Sequence, residues 1–349
     1  MSANQAAMSH PDLLQDTFTS KPRGLWSQGF QRLIRNRLAL AAAIVLIIVS
    51  TTAFLGEATQ LVRRHDPAVQ QYACINCEPS WIPSFAQVGE VTGGPAGETI
   101  DFNPTAPGNY WLGTDNLGRD NWARLLQATA FSIKIGLLAQ AVILIIGLAI
   151  GMGAALAGRA SDTVLTWITD LTYAFPDLLA IILVRQVLFG RDIPIIGDGD
   201  PQIPGFSGVL LSTVLAIALT SWVTVARLTR GQILSIKEMD YTTAARCIGA
   251  SEWRVIRVHM LPNTLGAIIV TATFGIPLAI FAEAALSFIG LGVPAPDASL
   301  GSLISDGQGF LRVNQWMIVW PSIMVALLML CFTFLGDGLR DALDPRTRK

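Results

Sequence analysis

Charge is what this sequence lacks most. Of 349 residues only 14% are Asp, Glu, Lys or Arg, the two signs leave a formal net charge of −1, and 52% are hydrophobic. That is the balance of a membrane chain rather than a water-soluble one. Without a basic excess there is nothing to neutralise a nucleic-acid backbone, so no nucleic-acid partner is expected. No Gly-Lys dipeptide occurs, so the loop that cradles nucleotide phosphates is missing. The histidines are few and scattered, at His10, His65 and His259, and they form no His-Glu-x-x-His metal pair. No nucleophile elbow is present either. Four cysteines make no disulfide framework. Such a chain is expected to be no enzyme, to bind no cofactor or metal, and to take any energy it uses from elsewhere.

What the sequence does have is long apolar runs. Six stretches reach the roughly 20 residues that a helix needs to cross a bilayer. They lie at about 38–57, 131–157, 163–189, 208–228, 264–290 and 317–337. The fold class read from them is an all-α integral membrane protein with six transmembrane helices. The first apolar run starts only near Leu38, behind a polar tail, and is too long for a cleavable signal. Lys and Arg flank the spans unevenly. The tail carries Lys21, Arg23, Arg32, Arg35 and Arg37. The loop at 229–263 carries Arg230, Lys237, Arg246, Arg254 and Arg257, and the end of the chain carries Arg340, Arg346, Arg348 and Lys349. By the positive-inside rule these three segments face the cytoplasm, which places both termini there. Trp26, Phe30, Leu33 and Ile34 among the tail's arginines pattern as an interfacial amphipathic helix.

Residues 58–128 are the long segment on the opposite side, rich in Pro and Gly through the middle. Cys74-Ile-Asn-Cys77 sits there, and an oxidising compartment allows a small bridged turn. Two thiols and His65 fall short of a four-ligand metal set. Further on, Asp115, Arg119 and Asp120 can form a local ion-pair cluster fixing the start of the second span. Contact with a substrate or a binding protein is the alternative.

The polar run from Tyr241 to Asn263 reads as two short helices joined at a glycine. Ala244 and Ala245 are small, so a partner backbone can come close. Gly249 can take the left-handed conformation that stops the first helix. Ser251 can cap the second, with Glu252 in its first turn. Trp253, Ile256 and Met260 fall on one stripe. Leu261, preceding Pro262, is expected to leave the helical region and end that helix. On periodicity alone this run is either a docking element or a plain hairpin between two spans.

Ionisable residues inside spans are costly and each raises a functional question. Asp170 and Asp177 flank a stretch ending in Pro176, which should kink the third span. Glu283 lies in the fifth span among Ala282, Ala284 and Ala285. These acids either line a wet path that attracts a cationic group, or they bond neighbouring helices, pair with Lys134 or Arg185, or face a partner.

The run carrying Ala244, Ala245, Gly249, Leu261 and Pro262 resembles the coupling loop of bacterial ABC importer permeases. Its closing His-Met-Leu-Pro-Asn is similar to the dipeptide/oligopeptide subfamily, C-type subunit. Thr243 stands where that family usually has Glu. Leu-Gly-Thr-Asp…Gly-Arg-Asp120 and Gly336-Asp-Gly338-Leu-Arg-Asp-Ala-Leu-Asp-Pro345 carry the same resemblance, as do the stretches around Pro176 and Glu283. The resemblance implies a type I ABC importer (MetI-like) permease in the bacterial cytoplasmic membrane. Residues 1–37 are then a cytoplasmic tail, 38–57 the first span, 58–128 extracytoplasmic, 129–341 the permease domain with a coupling loop at 240–262, and 342–349 a cytoplasmic tail. It implies a homologous second permease, two ABC ATPases that hold ATP and magnesium, an extracytoplasmic peptide-binding protein and a peptide substrate. Thr243, Ala244, Ala245, Gly249, Trp253, Leu261 and Pro262 become the coupling residues. Nickel or another small solute is the alternative cargo. An ATPase-independent secondary transporter is the rival class, but no inverted repeat is visible.

Overall fold

A computed structural model of the chain describes residues 25–59, 62, 65–70, 75–77, 79–81, 110–189, 207–294 and 297–343. Cys74 and most of the 58–105 stretch lie outside the described residues. Those described are helical apart from loops and one isolated bridge between Thr114 and Asp120. In chain order the helices are α1 (Leu25–Arg35), α2 (Arg37–Ala58), α3 (Asn121–Leu156), α4 (Arg159–Ala174), α5 (Asp177–Phe189) and α6 (Gly208–Lys237). A short α7 (Asp240–Cys247), a long α8 (Glu252–Leu291), α9 (Leu300–Gln308) and α10 (Trp316–Leu343) follow. Five of them (α2, α3, α6, α8 and α10) are long and apolar enough to cross a membrane, and α4 with α5 makes a sixth if that bent pair is one span.

Short polar side chains set where several helices begin. Asn36, between α1 and α2, accepts the Ala39 N–H, Ser207 accepts that of Leu210, and Ser299 exchanges hydrogen bonds with Ser302 in a capping box. Each satisfies a backbone donor that the first helical turn leaves unpaired. Asp120 does the same for α3, accepting the Trp122 N–H at 2.9 Å. The second span therefore starts ten residues before its apolar run at 131, because the cap and not the hydropathy sets the start. At 36 residues α3 is about 54 Å long, more than a bilayer's hydrocarbon core.

The third span is not a kinked rod. Its two halves, α4 and α5, meet at 96° across Phe175-Pro176. Phe175 is extended (φ −88°, ψ 136°), as a residue before proline tends to be.

Two apolar cores hold the bundle. Ala42, Leu46, Leu125, Ile133, Ile280 and Leu328 join α2, α3, α8 and α10. Ile135, Ile143, Ile181, Ile217 and Ala279 join α3, α5, α6 and α8. The helices approach closely where side chains are smallest, as is common between membrane helices. A Cβ on Gly151 would stand 2.5 Å from the Ala226 carbonyl oxygen, so Gly151→Val is expected to force α3 off α6. Overpacking of this kind costs about 1–3 kcal/mol, to be read as a lowered thermal midpoint in detergent. Gly338 behaves similarly. It lies within α10, where a Cβ would meet that of Ala39 on α2 at 2.2 Å. Apolar side chains facing away from the bundle, such as Leu38, Ile47, Ile145 and Leu183, are exposed, as a lipid-facing surface requires.

Candidate functional site

The inter-span elbow

The run from Asp240 to Met260 folds as an elbow between α6 and α8. Gly249 sits at φ +87°, the left-handed region that glycine enters without steric cost. Around it the Gly249 N–H donates to the Arg246 carbonyl (2.9 Å) and the Ala250 N–H to that of Ala245 (3.0 Å). This pair is the Schellman closure of a helix end. Arg246 then reaches across the turn, placing Nε 2.9 Å and Nη2 3.2 Å from the Glu252 carboxylate oxygens. The elbow is locked to the bundle from inside: Ala245, Val255 and Met260 pack on Ala155, Ile233 and Ile236, and the buried Thr242 hydroxyl donates to the Ile236 carbonyl at 2.9 Å.

Past the turn the structure departs from the sequence expectation. Leu261 stays helical (φ −59°, ψ −47°) and α8 runs without a stop through Pro262. The helix widens instead into a π turn over Ile256–Met260, and the Leu261 N–H reaches back to the Ile256 carbonyl. Pro262 brings no N–H, and the Asn263 amide supplies a donor nearby, bonding the His259 carbonyl at 2.7 Å. The π turn also shifts the helical face. Val255 and Met260, five apart, are buried, while Trp253 is 70% exposed, so of the stripe expected through Trp253, Ile256 and Met260 only the last two pack on the core. Ser251 is extended but makes no side-chain cap bond. Of the residues expected to couple, Ala245 is buried and Leu261 half-buried, while Thr243, Ala244, Gly249, Trp253 and Pro262 are exposed. Ile248, at the tip, is 86% exposed; it lies in a turn and not on a helical stripe, so periodicity carries no signal for it. His259 lies beside Tyr241, ring centroids 6.1 Å apart.

The intramembrane cavity and its acids

A cavity of about 350 Å³ opens between α3, α4, α5, α6 and α8. Its wall is mostly apolar (Ile143, Ile181, Ile217, Phe274, Leu278), with Gln140, Asp177, Thr220, Ser221, Thr224 and Thr271 among its polar groups. Of the three acids singled out from sequence, only Asp177 lines it. Asp170 pairs with Arg227 on α6 at 2.7 Å, and the same guanidinium lies 4.4 Å from the centre of the Tyr173 ring. Asp162 forks with Arg230 one turn further along α6. Lys134 bonds Glu57 and none of the three acids, while Arg185 bonds Thr213 and the Gly292 carbonyl and also interacts with the Glu283 charge. Arg227, a cation inside the 208–228 apolar run, is the signal in the sequence for a partner of this kind. Glu283 stands behind the wall. It is 1% exposed and accepts from Ser132 (2.9 Å) and Ser287 (2.7 Å), which ties α8 to α3.

The knot at the opposite end

At the far end of α3 the expected ion cluster is present and larger than expected. The fully buried Asp115 takes Arg119 Nε at 2.7 Å and Arg124 Nη1 at 2.6 Å on one oxygen. Its other oxygen takes the N–H groups of Leu117 and Arg119. Arg124 extends to Asp306 on α9. Asp120 bonds His65 at 2.8 Å; burial pushes its carboxyl up, and the bonds from His65 and the Trp122 amide pull it back. Cys77 is disulfide-bonded, and its N–H donates to Thr114. Asn314 bonds the Thr114 carbonyl at 3.2 Å.

Relatives

Residues 143–349 match the family described as binding-protein-dependent transport system inner membrane component, and residues 24–79 match the N-terminal TM domain of oligopeptide transport permease C. The chain is 32% identical to the oligopeptide transport system permease protein OppC of Bacillus subtilis (strain 168), over 96% of this chain and 94% of that one. It is 33% identical to the dipeptide transport system permease protein DppC of the same organism, over 99% and 92%. Its identity to OppC of Escherichia coli (strain K12) is 30%, over 93% of each. Among solved structures, a chain of the inward-facing MetNI methionine ABC transporter matches with a TM-score of 0.50 at 16% identity, over 63% of this chain and 96% of that one. That likeness speaks to the fold alone, a type I importer permease.

Proposed function

The chain belongs to the family of binding-protein-dependent transport system inner membrane components, and from that membership we propose that it is the permease subunit of an ATP-driven importer of di- and oligopeptides. One observation carries the reading: the exposed elbow and the cavity are built on the same two helices. α6 contributes Ile217, Thr220 and Thr224 to the wall and α8 contributes Thr271, Phe274 and Leu278. Both helices end in the elbow, α6 through Ile236 and α8 through Val255 and Met260. A force on Trp253 therefore acts on the cavity wall through continuous helix, and one on Ile248 acts through the turn at Gly249.

The proposed assembly pairs this chain with a homologous permease, two cytoplasmic ATPases carrying ATP and magnesium, and an extracytoplasmic peptide-binding protein. Met239, Tyr241, Ile248, Trp253 and Val258 form the apolar surface offered to an ATPase; each is at least 43% exposed. Thr243 adds no charge to that surface. Closure of the ATPases on ATP moves the elbow, α6 and α8 turn with it, and the cavity opens outward. Hydrolysis returns it. The ATPases shift this equilibrium only so far as they bind one state better than the other. Asp177 is the group that meets a peptide's ammonium end. Both termini are cytoplasmic in this arrangement, and Cys74 bridges Cys77 on the outside.

The orientation has a direct test. Cys247 on the elbow is exposed and free, and Cys331 is free but buried. A membrane-impermeant maleimide is expected to label Cys247 in inside-out vesicles and to leave it unmodified in intact cells, whose outer face it reaches. Labelling in intact cells alone reverses the topology and removes the elbow from the ATPases. With Ala244→Cys, a short bifunctional reagent is expected to join this chain to an ATPase; no such product means that the elbow docks elsewhere.

A further inference from the structure

Gln140 stands out on the cavity wall. It is 4% exposed, yet its amide nitrogen finds no hydrogen-bond partner among the described residues. A buried donor is normally paired, and an unpaired one is kept only where something compensates for its desolvation. Gly275 on α8 faces the amide so closely that a Cβ would lie 2.0 Å from Gln140 Oε1, so a side chain at 275 would have to displace the carboxamide. Both residues belong to the wall of the same cavity, together with Asp177, Thr220 and Thr271.

We infer that Gln140 is a substrate-contacting residue whose amide N–H donates to a backbone carbonyl of the peptide in transit. The inference rests on the peptide-importer reading. A backbone carbonyl is an acceptor that every peptide presents regardless of side chain, and an amide donor in a mostly apolar wall can pair with it. Asp177, on the same wall, takes the ammonium end. The cavity thus recognises main chain and leaves side chains to apolar contact, which suits a carrier of varied sequences. The occupied cavity satisfies the Gln140 donor, and the empty one does not.

The test uses proteoliposomes holding the complete complex with its binding protein. Uptake of a tripeptide is compared with that of an analogue whose central carbonyl is reduced to a methylene, each at saturating concentration. Wild type is expected to carry the tripeptide about five- to tenfold faster, the size of one net hydrogen bond. Gln140→Leu is expected to carry both at the slower rate and to unfold no earlier than wild type, because it removes an unpaired polar group. Gly275→Ala, which displaces the carboxamide, is expected to give the same loss, and the double variant no further loss. If Gln140→Leu keeps the wild-type preference, or unfolds earlier, the residue is a packing or water-bound group and the inference is overturned. Wild-type proteoliposomes that take up neither peptide overturn the importer reading itself.

Discussion

Gly249→Trp is expected to abolish peptide-stimulated ATP hydrolysis by the reconstituted complex. The residue lies at φ +87° with no atom within 4 Å of where a Cβ would sit. The chain itself therefore has room for a larger side chain, and the backbone strain of a non-glycine residue there is only about 1–2 kcal/mol. Arg246 and Glu252 hold the turn across that position. The bulk instead meets whatever covers the elbow tip. A lost docking centre costs about 2–4 kcal/mol, or roughly 30- to 700-fold in occupancy. Gly249→Ala, which brings the strain without the bulk, is expected to lose only a small part of the stimulation. Comparing hydrolysis with and without loaded binding protein for the two variants decides the matter. Equal losses make backbone strain the cause, and undiminished stimulation in Gly249→Trp means that this elbow does not transmit ATPase closure.

The elbow also marks how far the sequence could be read. Gly249, small residues and a polar run between apolar spans located the turn, and the structure has a left-handed residue there. The length of α8 was not legible. Pro262 is a strong stop signal locally, yet a π turn and the Asn263 amide carry the helix past it. That outcome depends on Val255 and Met260 being buried against α3 and α6, which no local pattern reports. The cavity shows the same division. Asp170, Asp177 and Glu283 were visible as acids inside spans, but their roles depend on facing helices. Arg227 takes Asp170, the two serines enclose Glu283, and Asp177 alone reaches the wall. Gln140 carried no signal in the sequence, being an uncharged residue in a long apolar helix. Its isolation appears only when Gly275 is placed across from it.

Asp115→Ala is expected to have the largest effect on stability of any single change outside the spans. The carboxylate is fully buried and is the shared partner of Arg119 and Arg124, which are 6% and 3% exposed. Arg124 keeps one longer bond, 3.3 Å to the half-exposed Asp306, and Arg119 loses its carboxylate. Removing one member of a buried charge cluster costs about 3–5 kcal/mol, chiefly because the surviving charges stay desolvated. Asp115→Asn keeps the shape and two acceptor sites for the Leu117 and Arg119 amides but not the charge, and should recover only part of the loss. The triple change Asp115→Leu, Arg119→Met, Arg124→Met removes the charges together. It should recover more than Asp115→Asn does, since apolar replacement of a buried cluster is often near neutral. Thermal midpoints of the purified subunit complex rank the three. If the triple variant is the least stable, the knot holds by attraction among its charges; if it outranks Asp115→Ala, stranded charge is the cost. In either case the knot fixes the far end of α3, the helix whose other end packs on the elbow, so movement there is transmitted against an anchored lever.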